Sequence, residues 1–329
     1  MDLKNKNILI TGGTGSWGQE LAKQILSKYN VNSIVIYSRN ENSQVMMKRK
    51  FNNEKMKFVL GDIRNLNSLR KATKNIDIIF HLAALKHVPV GEESPDEFIA
   101  TNVIGTQNIR DVAIENNVKK VVLISTDKAC SPINLYGYTK SLAEKIIIQA
   151  NQICENTKFV CIRGGNALGS NGSVVPFFIQ QVKERNELTI TDNEMTRFFL
   201  TLEQAVSLIF SAVNNSFGGE IFVMKMPSFK IIDLVYLIKE RYGDNNTKIT
   251  TIGIKPGEKL HEVLISEHES KNAYYFNQDY IFILPQIKIE NIKNIDLNIY
   301  KKFEESSFSS QIVLDKEKLK QFLKAGGFL

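Results

Sequence analysis

The stretch NILITGGTGSWGQELAKQIL, residues 7–26, constrains the fold of this chain more than any other. A short apolar run is followed by a glycine turn, and then by apolar residues at helical spacing. Glycines stand at Gly12, Gly13, Gly15 and Gly18. Between a strand and a helix, such glycines permit a tight turn, a close approach of backbone to a pyrophosphate, and close packing of helix on strand. The phosphates then lie at the positive end of the helix, where free N–H groups point at them. With strand before and helix after, the pattern predicts the opening βαβ unit of a dinucleotide-binding domain. Gly12, Thr14, Gly15, Ser16, Trp17 and Gly18 are the candidate cofactor contacts on this segment.

The alternation of strand and helix continues. The second strand, SIVIYSRNE, ends in Ser38 and Arg39 where NAD-binding domains usually carry Asp or Glu for the ribose 2′-hydroxyl. A hydroxyl with a guanidinium suits a 2′-phosphate, so NADP is expected in preference to NAD. The alternative for Arg39 is a solvent-facing residue at the start of the next helix. The third strand, KFVLGDIRN, leads into Asp62 and Ile63. Asp62 can accept from an adenine amino group or simply make a turn. A fourth strand, IDIIFHLAALKHVPV, breaks into small residues. Ala83 and Ala84 there allow a cofactor close to the backbone, and Lys86 lies at the mouth of the crevice where open α/β sheets bind ligands. His81 is read as a packed strand-end residue without a catalytic role. Asn102, in TNVIGTQNI, is either a structural polar contact or an orienter of an active-site lysine.

Strand KVVLIST then delivers the densest chemical segment of the chain, STDKACSPINLYGYTK, residues 125–140. Tyr136 and Lys140 are one helical turn apart on one face. A lysine ammonium beside a phenol lowers its pKa and makes phenolate accessible near neutral pH. Thr126, at the strand end, is placed to hydrogen-bond the same substrate hydroxyl. Asp127 and Lys128 add an acid and an amine directly beside it.

The fold class expected is α/β: a Rossmann-like doubly wound parallel sheet over residues 1–163, carrying the catalytic segment. A smaller C-terminal α/β substrate-binding lobe is expected over 164–329, with elements able to cross back. Residues beyond about Ala273 read as peripheral, and the tail LDKEKLKQFLKAGG as an amphipathic helix closed by glycine and docked on the body or on a neighbouring subunit. The three cysteines are scattered without a CxxC pair, which argues against a disulfide framework or a metal site. The polar N-terminus lacks a signal-peptide core, and no apolar run reaches membrane-spanning length. The chain is therefore expected to be soluble and cytoplasmic, without membrane association. Net charge is +7, but the lysines are spread along helix faces without a basic block, so nucleic acid is not an expected partner.

With these residues in place the sequence resembles an extended short-chain dehydrogenase/reductase acting on nucleotide-sugars. More narrowly, it is similar to the configuration-inverting UDP-N-acetylglucosamine 4,6-dehydratases of bacterial surface-glycan and flagellin-sugar pathways, pseudaminic acid among them. The resemblance is carried by TGGTGSWG, LGDIRN, HLAALKHVP, TNVIGTQN, STDKACSPINLYGYTK, GSNGSVVPFF, MTRFFLT, GGEIFV and IKPGEKLHE. Retaining sugar dehydratases carry Asp-Glu where this chain has Asp127-Lys128, and a retaining relative with Asp-Lys has methionine in place of Tyr136.

The resemblance implies a UDP-sugar substrate and a homo-oligomer, dimer or hexamer. It implies UDP or sugar contacts from Lys86, Asn166, Ser173, Val174, Arg197, Lys255 and Glu258, with His261 more structural than ligating. Gly164 stands where tyrosine is common and Asn171 where arginine is common, which leaves the contacts there open. The implied catalytic set is Thr126, Asp127, Lys128, Tyr136 and Lys140, with Lys128 as neutral base at C5 and Asp127 as acid at the 6-hydroxyl. Tyr136 and Lys140 also count as cofactor contacts.

Overall fold

The computed structural model describes residues 3–170, 172–293 and 295–329. Six parallel strands open the central sheet: β1 (Asn7–Thr11), β2 (Ser33–Ser38), β3 (Met56–Leu60), β4 (Ile78–His81), β5 (Lys120–Thr126) and β6 (Lys158–Gly164). Their order across the sheet is β3-β2-β1-β4-β5-β6. The crossover between β3 and β4 reverses the winding direction and opens a crevice at the carboxyl ends of β1 and β4. Continuous Ile, Leu, Val and Phe runs explain why these strands lie in the middle: β1, β2, β4 and β5 are almost wholly buried, as a sheet with helices on both faces requires.

The sheet does not stop at β6. Ile221–Met224 adds a parallel strand beside β6, followed by the antiparallel strands Tyr280–Ile283, Ala273–Tyr275 and Lys301–Lys302. Four of its ten strands thus come from beyond residue 164. The expectation that residues after Ala273 are peripheral is corrected here. Ala273, Ile281, Phe282 and Ile283 are buried in the main core. Strands of three or four residues give too little periodicity to identify in sequence, and their burial follows from pairing with Ile221–Met224.

A second apolar core gathers Leu168, Val175, Phe178, Phe199, Phe229 and Leu234 in the C-terminal lobe. The tail helix, Lys316–Ala325, is capped by Asp315 and presses Leu319 and Leu323 into that core. The lobe is fastened to the sheet by buried charge. Arg163, on β6, meets Glu144 at 2.8 Å and Glu269 at 2.7 Å, and donates to the Leu264 carbonyl at 2.9 Å.

Candidate active site

Between the carboxyl ends of the strands and the C-terminal lobe lies a cleft of about 700 Å³. One wall is the glycine turn. Gly12 has φ +65°, a left-handed conformation that favours glycine, and a Cβ there would lie 2.8 Å from the backbone of Ala83. The helix that follows, Ser16–Lys28, starts at Gly15 without a side-chain cap and without an acidic residue in its first turn. Its positive end therefore suits an anion. Gly15, Ser16, Trp17, Gly18, Ala83, Ala84 and Lys86 all line the cleft beside Gly12. This cradle fits the pyrophosphate of a dinucleotide.

The catalytic segment forms the floor. β5 ends at Thr126, a short helical turn carries Asp127 and Lys128, and the helix Leu135–Ile153 begins under them. Asn134 caps that helix by accepting from the Gly137 N–H at 2.8 Å, and donates to the Gly257 carbonyl at 2.7 Å, tying the catalytic helix to the C-terminal lobe. Thr126, Lys128, Tyr136 and Lys140 line the cleft together.

Within this floor the charges are arranged differently from the expectation. Burial raises the pKa of the Tyr136 phenol, and the charge that draws it back down is that of Lys128, with the Thr126 hydroxyl in contact. Lys140 instead donates to the Ile124 carbonyl at 2.7 Å, and burial lowers its pKa to about 8. The expected tuning of Tyr136 by Lys140 therefore gives way to tuning by Lys128. The Lys128 ammonium sits 3.1 Å from Asp127 Oδ1 and 3.2 Å from Glu262 Oε1. Burial pushes Lys128 down, but these two carboxylates outweigh it and hold its pKa above the ordinary lysine value. Lys128 is thus a resting ammonium, where a neutral base was expected.

Several expected contacts have other partners. The Asn102 side chain accepts from the Leu85 N–H and donates to its carbonyl, both at 2.9 Å, and donates to Thr139 Oγ1 at 3.0 Å. It pins the loop after β4 and does not orient Lys140. Ser38 is buried, its hydroxyl accepting from Gln44 at 3.0 Å. Asp62 binds Arg64 at 2.6 Å and lies 3.7 Å from Arg39, so its carboxylate is engaged by guanidinium groups. Ile63 is buried and accepts from Asn108 at its carbonyl. Thr14 accepts from Gln19 at its carbonyl. His81 is buried between Thr11 and Thr106, with its pKa lowered to about 3 by burial, as a packed neutral residue.

On the lobe side, Asn166, Ser173, Val174, Arg197, Lys255 and Glu258 all line the cleft. Ser173 precedes the helix Val174–Arg185, and its buried hydroxyl has no hydrogen-bond partner. Arg197 donates to the Thr196 carbonyl at 2.7 Å and lies 3.8 Å from Glu262. His261 meets Thr196 Oγ1 at 2.8 Å, a structural contact. Asn171 lies outside the described residues. Glu262 is a cleft-lining residue that sequence reasoning passed over. It closes the stretch IKPGEKLHE, but nothing local in that stretch shows that it faces Lys128.

A Rossmann sheet with Thr126, Tyr136 and Lys140 at its crevice, and a lobe folded over it, defines an extended short-chain dehydrogenase/reductase architecture. The chain belongs to the family described as polysaccharide biosynthesis protein, whose model matches residues 8–284. It is 46% identical over 88% of its length to the UDP-N-acetylglucosamine 4,6-dehydratase (inverting) of Campylobacter jejuni, covering 86% of that protein. It is 42% identical over 82% of its length to the UDP-glucose 4-epimerase of Rickettsia akari, covering 80% of it. Among solved structures, it superposes on Pen from Bacillus thuringiensis with a TM-score of 0.92 at 38% identity, each chain covered in full. Among the described residues no helix is long and apolar enough to cross a membrane.

Proposed function

We propose that the protein is an NADP-dependent UDP-N-acetylglucosamine 4,6-dehydratase that inverts C5. The observation that carries this reading is the joining, on one cleft floor, of a Thr126–Tyr136 pair for alcohol oxidation to a charged cluster at Asp127 and Lys128. The bound dinucleotide supplies hydride acceptance from C4 and hydride return to C6. Tyr136, aided by Thr126, takes the proton of the sugar 4-hydroxyl as C4 is oxidised. The resulting ketone acidifies the C5 hydrogen, and the cluster around Lys128 removes it and protonates the departing 6-hydroxyl. Reprotonation of C5 from the opposite face gives the L-arabino 4-keto-6-deoxy sugar. On the lobe side, the partnerless Ser173 hydroxyl at a helix start, with Arg197 and Lys255, suits a diphosphate. Arg39, near the end of β2, suits a 2′-phosphate.

Incubation with UDP-N-acetylglucosamine in deuterated water, followed by proton NMR, tests the reading. A 6-deoxy methyl signal, deuterium at C5 and L-arabino couplings are expected. D-xylo couplings would overturn inversion, and an unchanged spectrum would overturn the substrate. The 42% identity to the Rickettsia akari protein favours one second reading, a 4-epimerase. It would show a new 4-epimer without loss of water. Mass analysis of cofactor released from denatured protein separates NADP from NAD.

A further inference from the structure

Glu262 is brought to the floor of the cleft from the far end of the chain. Its side chain is buried, it lines the cleft, and its Oε1 lies 3.2 Å from Lys128 Nζ and 3.8 Å from Arg197 Nε. Its other oxygen, Oε2, is buried without a hydrogen-bond partner. A buried carboxylate oxygen left unpaired is costly, and here it belongs to a residue that lines the cleft beside Lys128. Its backbone is fixed by reciprocal bonds with Ser310, each 2.8 Å. Asp127 resembles it in having a buried oxygen without a partner, Oδ2, while its Oδ1 is committed to both Thr126 and Lys128.

We propose that Glu262 is the proton partner of Lys128: it holds the lysine at the cleft floor, takes one proton from its ammonium group before elimination, and passes that proton to the departing hydroxyl. This inference rests on the dehydratase reading above. One proton passes from Lys128 Nζ to the Glu262 carboxylate, leaving an amine and a carboxylic acid. The amine takes the C5 proton, and the electron pair of that C–H bond moves into the C4 carbonyl as an enolate. The enolate then expels the C6 hydroxyl, which leaves as water with the proton of the Glu262 carboxylic acid. The cluster is returned to one ammonium and two carboxylates. The proton that Tyr136 took from the 4-hydroxyl balances the one C5 receives from the opposite face. Lys128 is faced by Asp127, Glu262, Arg197 and Tyr136, so the loss of one carboxylate shifts its titration.

The test compares Glu262→Gln with Glu262→Asp. In Glu262→Gln, elimination is expected to fall by about 100-fold or more. Oxidation at C4, followed by the absorbance of reduced nicotinamide on adding UDP-N-acetylglucosamine, should persist. Glu262→Asp should recover part of the elimination. Independently of turnover, the Lys128 Cε signal in lysine-labelled, ligand-free protein, assigned by its loss in Lys128→Met, should titrate at lower pH in Glu262→Gln than in wild type. Glu262→Gln eliminating at the wild-type rate, or an unmoved Lys128 titration, would overturn the proposal. Should Glu262→Gln not fold, the titration is read in Glu262→Asp, where an unmoved curve with unimpaired elimination would overturn it equally. Wild-type protein that neither oxidises nor dehydrates the sugar would sink the dehydratase reading, while the titration would still report on the Lys128–Glu262 pairing.

Discussion

The indole of Trp17 covers Gly164: a Cβ at position 164 would lie 2.7 Å from the tryptophan Cη2. Both residues line the cleft. At Gly164, where the resemblance leads to an expectation of tyrosine, an aromatic ring is therefore supplied from the first turn of the helix Ser16–Lys28. Trp17 is the single tryptophan of the chain, so its fluorescence reports on this wall alone. Dinucleotide addition should quench it. Gly164→Ala should shift its emission before any ligand is added and weaken dinucleotide binding several-fold. An unchanged emission spectrum would show that the ring does not rest on Gly164.

Lys140 gives a pH dependence with a defined sign. Burial lowers its pKa to about 8, so the ammonium is present below that pH and lost above it. Dinucleotide affinity, measured by titration of Trp17 fluorescence, should weaken as pH rises through 8. Lys140→Met should bind more weakly throughout and lose that pH dependence. Over the window from about 8 to the ordinary lysine value the unfolded chain binds the proton that the folded chain lacks, so this group makes stability rise with pH there.

Arg163 holds two carboxylates, the buried Glu144 and the partly buried Glu269. Burial alone would raise the pKa of Glu269, but the guanidinium overrides it and holds it at about 2. A carboxylate lowered in this way stabilises the fold above the ordinary glutamate value, and that contribution is lost as pH falls toward 2. Arg163→Ala should cost roughly 3–5 kcal/mol by denaturant unfolding, since it strands Glu144 and Glu269. Its acid transition should also move to higher pH, because Glu269 without the guanidinium protonates sooner.

Asn102 pins the loop that backs the cofactor cradle. It makes two bonds to Leu85 and one to Thr139. Asn102→Ala should destabilise by about 1–3 kcal/mol through the orphaned Leu85 groups. Faster hydrogen exchange at the Leu85 amide, with dinucleotide binding reduced, is the expected signature. Unchanged exchange would mean that the loop is held elsewhere.

The first strands, the glycine turn and the Tyr136–Lys140 helix were legible in the sequence because each is a local pattern. An apolar run, a turn that needs Gly12 in a left-handed conformation, and a four-residue spacing on a helix are all written in consecutive residues. Asn166, Ser173, Arg197, Lys255 and Glu258 were singled out through the family resemblance, and the structure brings them with Lys86 to one cleft. Where a partner lies far along the chain, the sequence is silent. It did not show that Arg163 binds Glu269, that Asn102 serves Leu85, or that residues 273–283 complete the central sheet.

The sequence by itself determined the Rossmann half and the candidate proton-transfer groups, since both depend on neighbours within a turn or a strand. Only the tertiary structure decided the charge state of Lys128. That state depends on Asp127, its neighbour in the chain, and on Glu262, which folding carries from the C-terminal lobe to 3.2 Å from the lysine. A pKa is set by distance and burial in space, and neither is encoded in spacing along the chain.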